Sequence, residues 1–142
     1  MQYELYYPEP YIEADAEMIC NFIRAANPGC DNIRPESFGV DYPERVIFVA
    51  REENGKIEGV LVLTVSCLFG TKIAQVECLA TKGRFDDADA KGLLDKAIWY
   101  AKNTGCGIIE LTLPYHIVAV DNFLSRADFN PPVGLTGYSM AL

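Results

Sequence analysis

Along residues 2–7 the bulky side chains of Tyr3, Leu5 and Tyr7 fall on one side, the period-2 pattern of a strand with one covered face. Pro8 and Pro10 end it. Over residues 12–26 the period lengthens to that of a helix. Ala14, Met18, Ile19, Phe22, Ile23 and Ala26 make an apolar stripe, and Asp15, Glu17, Asn21 and Arg24 form the wet side. Asn27-Pro28-Gly29 stops the helix, and residues 30–44, broken by prolines and a glycine, predict a loop with at most one helical turn.

Residues 45–51 (RVIFVAR) read as a strand, followed by a hairpin turn at residues 52–56 built on Asn54-Gly55. The returning strand, residues 57–67, is apolar on both faces, as a central strand covered by helices must be. Residues 68–72 form a second turn and residues 73–81 a third strand of the meander. An amphipathic helix follows, carrying Leu93, Leu94, Ala97, Ile98 and Ala101 on one face and ending at Asn103-Thr104-Gly105. Residues 108–113 predict another strand, residues 117–127 a last helix, and residues 138–142 a closing strand. The order β-α-β-β-β-α-β-α-β predicts a single α/β domain over residues 1–142. Its mixed sheet has an antiparallel meander plus a parallel strand pair, and helices flank it.

Composition narrows the function classes. Half of the 142 residues are hydrophobic and the net charge is −8, so the chain is globular and lacks the clustered cations that nucleic acid requires. The apolar stretch at residues 60–65, broken only by Thr64, is a strand's length and too short to span a bilayer. No basic head followed by an apolar stretch opens the chain, so no signal peptide is expected. Five cysteines without a CxxC pair, and one histidine, make a zinc site improbable and suit reduced thiols in the cytoplasm. No nucleic-acid or membrane partner is expected; a small-molecule or protein amine, a second copy of the chain, or an assembly partner remains open.

The segment AQVECLATKGRFDDADAKGLL, residues 74–94, runs from a covered strand through a short loop into a helix. A helix's first-turn N–H groups point at whatever sits before it, so this layout makes an anion site. The residues placed there are nevertheless Asp86, Asp87 and Asp89. One carboxylate about 5 Å from a phosphate charge costs about 3 kcal/mol at an effective dielectric near 20. Lys82, Arg84 and Lys91 offset part of that repulsion. Alternatively, the aspartates are there to cap the helix and meet its dipole.

The element order and the phrases ECLA…GLLDKAIWYAKNTGCGIIELTL and NFLSRADF resemble the GNAT superfamily of acyl-CoA-dependent N-acyltransferases, over nearly the whole chain. The resemblance implies acetyl-CoA as co-substrate. It places the family's Gln/Arg-x-x-Gly-x-Gly/Ala pyrophosphate loop on Phe85, Ala88 and Ala90, of which Ala90 fits, Ala88 is a small replacement and Phe85 departs. It puts the amine-activating base nearest Gln75, which accepts no proton. Glu77, two residues along on the same face, is the substitute, acting directly or through a water if burial raises its pKa. The family's thiolate-protonating tyrosine falls on Leu124, leaving Tyr115 and His116 as the local acids, unless His116 is a capping or packing residue. The resemblance also implies that the last meander strand and residues 108–113 splay apart. Backbone N–H groups near Leu79 and Thr81 would then receive the acyl carbonyl and pantetheine. A non-catalytic interaction or assembly module on the same fold is the rival reading.

Overall fold

The computed structural model of the chain describes residues 2–6, 13–26, 34, 45–82, 87–112 and 137–142. Its elements in order are β1 (Gln2–Tyr6), α1 (Glu13–Ala26), β2 (Arg45–Arg51), β3 (Ile57–Leu68), β4 (Thr71–Thr81), α2 (Asp87–Asn103), β5 (Ile108–Thr112) and β6 (Gly137–Ala141). The expected helix over residues 117–127 lies outside the described residues.

The strands form one six-stranded sheet in the order β1-β2-β3-β4-β5-β6. β1 through β4 pair antiparallel in succession, β4 pairs parallel with β5, and β5 pairs antiparallel with β6. The parallel pair requires a crossover, and α2 is that crossover. The two described helices cover opposite faces. Leu93, Leu94, Ala97 and Ala101 of α2 pack on Phe48, Leu61, Leu63, Val76, Ile109 and Leu111. Ala16, Ile19, Cys20 and Ile23 of α1 pack on Ile47, Val49, Val60, Val62 and Ala80. β3 sits in the middle and sends Leu61 and Leu63 to one face and Val60 and Val62 to the other, hence its apolar run. Gly59 lets α2 settle close, because a Cβ there would lie 2.9 Å from the Leu93 Cδ1 atom.

Two expectations need correction. In α1 the buried positions are Ala16, Ile19, Cys20 and Ile23, and Met18 is 50% exposed. Ile19, Phe22, Ile23 and Ala26 keep their place against the sheet, while Ala16 and Cys20 rather than Met18 complete the covered face, which a longer side chain would hold further from the sheet. The second hairpin is also tighter than residues 68–72. Leu68 pairs with Thr71, leaving Phe69 and Gly70 as a two-residue turn with φ of 51° and 80°. Positive φ at both central positions matches the twist of the flanking strands, so the ladder continues to the turn itself.

The first hairpin is a three-residue loop. Gly55 N–H donates to the Glu52 carbonyl at 2.8 Å and Glu52 N–H to the Lys56 carbonyl at 2.9 Å, with Gly55 at φ 85°. At the far end of α2, Cys106 N–H donates to the Ala101 carbonyl at 2.9 Å and Gly105 N–H to the Lys102 carbonyl at 3.2 Å, a Schellman closure with Gly105 at φ 83°. Gly105→Ala is expected to destabilise the chain by about 1–2 kcal/mol, since a side chain disfavours the left-handed conformation by that amount. Urea unfolding measures it, and an unchanged midpoint would show that the turn relaxes to another conformation.

Candidate functional site

Among the described residues the ladder of β4 with β5 joins Ile73–Val76 to Ile108–Leu111, although β4 runs on to Thr81. The end of that pairing coincides with a break in register on the other edge. Val62 faces Cys78 and the next residue, Leu63, faces Val76, so Glu77 is an extra residue in β4. A bulge bends its strand and increases the twist, which turns β4 away from β5 at the point where pairing ends.

Two hydrogen bonds give the direction of the backbone on either side of the bulge. Gly107 N–H donates to the Lys72 carbonyl at 3.0 Å, so the even-numbered residues before the bulge turn their peptide groups toward β5. Lys82 N–H donates to the Glu58 carbonyl at 3.1 Å, so the even-numbered residues after it turn toward β3. One inserted residue accounts for the change of parity and turns the N–H groups of Leu79 and Thr81 toward the β5 side of the strand. Leu79 and Thr81 are 3% and 4% exposed, so this stretch of strand is covered. α2 begins at Asp87, after residues 83–86, which lie outside the described residues. A gap beside a strand's carboxyl end, facing a helix N-terminus, is where open α/β sheets bind ligands.

Among the described residues, the lysines near that terminus are committed elsewhere. Lys91 Nζ lies 2.7 Å from Asp95 Oδ2, one turn further along α2. Lys82 Nζ lies 3.4 Å from Glu58 Oε1, and Lys56 Nζ approaches the same oxygen at 3.9 Å. One buried carboxylate thus serves two ammonium groups. Lys82, by contact and then by charge, holds Lys56 below the ordinary lysine value while Glu58 opposes it, and Lys82 moves the other way. Asp89 meets Tyr3 from the first strand: the Tyr3 hydroxyl donates to Asp89 Oδ1 at 3.2 Å and lies 3.4 Å from the Ala88 carbonyl.

On the face that α1 covers, next to the gap, a polar row crosses four strands. Arg45 pairs in register with Thr64, Thr64 with Gln75, and Gln75 with Glu110. Arg45 Nε lies 3.1 Å from Glu77 Oε2, and Arg45 Nη2 donates to Glu77 Oε1 at 3.4 Å. Gln75 Nε2 donates to Glu110 Oε2 at 3.4 Å. The Thr64 hydroxyl is buried between these pairs, with no hydrogen-bond partner among the described residues.

The expected site residues therefore separate into groups. Glu77, Leu79 and Thr81 lie on β4 at and beyond the bulge. Burial, the condition attached to Glu77 as a base, is not what it has: its side chain is 40% exposed and ion-paired with Arg45. Ala88 is exposed on the first turn of α2, whereas Ala90 is fully buried against the sheet, where a small residue brings the helix close. Lys91 is exposed and turned to Asp95. Arg84, Phe85, Asp86, Tyr115, His116 and Leu124 lie outside the described residues. Sequence reasoning missed Arg45, Thr64, Glu110 and Tyr3. Their signal lies in strand register, which aligns residues far apart in the chain.

Among the described residues no group of His, Cys, Asp and Glu is arranged to hold a metal ion, and no helix is long and apolar enough to cross a membrane. Cys20, Cys78 and Cys106 are buried and Cys67 is exposed.

No family model matches the chain, and no curated protein matches it in sequence. Solved structures do match in shape. A probable acetyltransferase from Staphylococcus epidermidis ATCC 12228 superposes with a TM-score of 0.79 at 13% identity, covering 99% of each chain. A GNAT-family acetyltransferase from Staphylococcus aureus Mu50 does so at 0.71 and 17% identity, again over 99% of each. The glucosamine N-acetyltransferase region of a fungal multi-domain β-N-acetylglucosaminidase matches at 0.68 and 16% identity. There the likeness covers 91% of this chain but only 17% of the other. With the antiparallel meander, the parallel β4–β5 pair and its α2 crossover, this chain has the GNAT acetyltransferase fold.

Proposed function

We propose that the chain is an N-acyltransferase that moves an acetyl group from acetyl-CoA to an amine. The observation that supports this reading is the end of the described β4–β5 pairing at Val76–Leu111, beside the Glu77 bulge that turns the Leu79 N–H toward the β5 side of the strand. Such a donor suits the acyl carbonyl, whose oxygen gains negative charge as an amine attacks. The first turn of α2 offers N–H groups for the pyrophosphate. Glu77 stands at the bulge and, without the help of burial, takes the proton from the attacking ammonium, directly or through a water. The leaving thiolate, with a pKa near that of cysteine at about 8.5, collects a proton from Tyr115, His116 or water. The acceptor's amine group approaches along the polar row formed by Arg45, Gln75, Glu77 and Glu110, whose excess of carboxylates suits a cation.

Calorimetric titration with acetyl-CoA tests the binding half of the reading, and saturable micromolar binding is expected. For the chemical half, Glu77→Gln is expected to lower acetyl transfer to an amine panel by about 10²–10⁴-fold, the usual contribution of a positioned base. The exposed Arg45 pair contributes about 0–1 kcal/mol, so the variant stays folded. Transfer by the unmodified protein is expected to rise with pH as the amine loses its proton. An undiminished rate in the variant would remove Glu77 from the mechanism.

One observation favours a second reading, a binding module without catalysis. Asp87 and Asp89 occupy the first turn of α2, while Lys82 and Lys91 are engaged by Glu58 and Asp95. Silence toward acetyl-CoA, both from the unmodified protein and from an Asp86/Asp87→Ala variant, would select it.

A further inference from the structure

We propose that Lys56 is a site of covalent acylation, its amine taking an acyl group directly from an acyl thioester in solution. This goes beyond the acyltransferase reading and does not depend on it. Lys56 ends the first hairpin, and Glu58 lies two residues further on, in β3. Gly59 pairs with Thr81, so Lys82 arrives beside Glu58 from the neighbouring strand, and its backbone N–H donates to the Glu58 carbonyl at 3.1 Å. The Glu58 side chain is 8% exposed, and one of its oxygens faces both lysines, Lys82 Nζ at 3.4 Å and Lys56 Nζ at 3.9 Å. Both lysine side chains are 53% exposed, so a small reagent in solution reaches them.

Two cations thus share one anion. Their Nζ atoms also lie within hydrogen-bond reach of each other, and two ammonium groups have no acceptor to offer one another. A hydrogen bond forms between them only when one gives up its proton and presents a lone pair. Lys82 is the nearer to the carboxylate and keeps its proton, so the lone pair falls to Lys56. By that contact and then by its charge, Lys82 holds Lys56 below the ordinary lysine value, while Glu58 and then Glu52 pull the other way. Arg51 adds a further cation to the hairpin, where its Nη1 donates to the Gly55 carbonyl at 3.0 Å. A lysine deprotonated by a neighbouring cation is a nucleophile near neutral pH. Its nitrogen attacks the thioester carbonyl carbon, a C–N bond forms, the C–S bond breaks, and the departing thiolate takes up the proton that the nitrogen sheds. The product amide carries no charge. Acylation therefore removes one of the two competing cations and leaves Glu58 and Lys82 as a one-to-one pair.

The experiment follows acetylation site by site, by peptide mass spectrometry of the folded protein. The donors are acetyl-CoA and, separately, the acetyl thioester of N-acetylcysteamine, which has no nucleotide to bind. Lys96 and Lys102, exposed on α2, are the internal references. At neutral pH Lys56 is expected to react about 3–10-fold faster than either with both donors, because more of it is uncharged. That advantage is expected to narrow as the pH rises toward about 10, where the reference lysines lose their protons too. Lys82→Gln removes the second cation and leaves Glu58 to Lys56 alone, so the Lys56 rate is expected to fall to that of the references or below. Equal rates at neutral pH overturn the inference. A preference seen with acetyl-CoA but not with the small thioester traces to bound nucleotide and overturns it as well. So does a preference that survives Lys82→Gln or persists undiminished near pH 10, since exposure alone would then explain it. The acyltransferase reading is tested separately, by acetyl-CoA titration and Glu77→Gln, and none of these outcomes decides it.

Discussion

Deleting Glu77 is expected to leave the sheet folded and to weaken acetyl-CoA binding by about 3–10-fold, the scale of one lost hydrogen bond. The core tolerates the deletion because Val76 faces α2 and Cys78 faces α1 already, so joining them restores plain alternation. Every buried residue of β4 keeps its side of the sheet. The only described contact removed is the exposed pair with Arg45, worth about 0–1 kcal/mol. Without the bulge, β4 loses its bend and can continue beside β5 beyond the Val76–Leu111 pair, where the Leu79 N–H is taken up by the ladder. Calorimetry against acetyl-CoA and amide hydrogen exchange at Leu79 measure the two halves of this expectation. Slower exchange at Leu79 with lost binding is the expected combination. A deletion variant that binds as well as the parent would show that something other than the bulge opens the sheet.

Phe48→Ala is expected to destabilise the chain by about 3–5 kcal/mol, the range for emptying a buried aromatic site. Phe48 is 1% exposed in the middle of β2, between Leu5 of β1 and Leu61 of β3. Its ring meets Tyr100 of α2 edge-on, with centroids 6.0 Å apart and planes at 73°. That contact ties the crossover helix to a strand on the far side of the sheet's centre, so the cavity falls where helix and sheet join. The loss is a large share of a total stability of about 5–15 kcal/mol. It corresponds to a fall of about 10–20 °C in the thermal midpoint. Trp99→Ala on the outer face of α2, where the side chain is 60% exposed, is expected to change stability by no more than about 0.5 kcal/mol. Urea unfolding of both variants is the measurement. A cost under 1 kcal/mol at Phe48 would mean that α2 does not rest on β2 as described.

Element by element, the chain announces what it will form. β2 matches the expected residues 45–51, and β3 and β4 differ from expectation only at the hairpin they share. The antiparallel meander and the parallel pairing of β5 beside β4 follow from a short turn at Asn54-Gly55 and a helical crossover, both local signals. The acidic character of α2's first turn was equally plain. These features are legible because period, turn chemistry and connection length belong to one segment at a time.

What the tertiary structure alone decided are relations between segments. Nothing in residues 45–51 says that Arg45 will reach Glu77, and nothing in residues 2–7 says that Tyr3 will reach Asp89 across the sheet edge. Glu77 reads in sequence as an ordinary alternate position of a strand. It becomes the extra residue only when β3 supplies the register against which β4 is counted. The same holds for α1, whose several apolar positions allow more than one stripe until the sheet's surface selects Ala16 and Cys20 over Met18. Side-chain period is set by the backbone of a single segment, whereas register, bulge and helix rotation are set by the fit of two surfaces. A site made where two strands part is therefore written in their pairing.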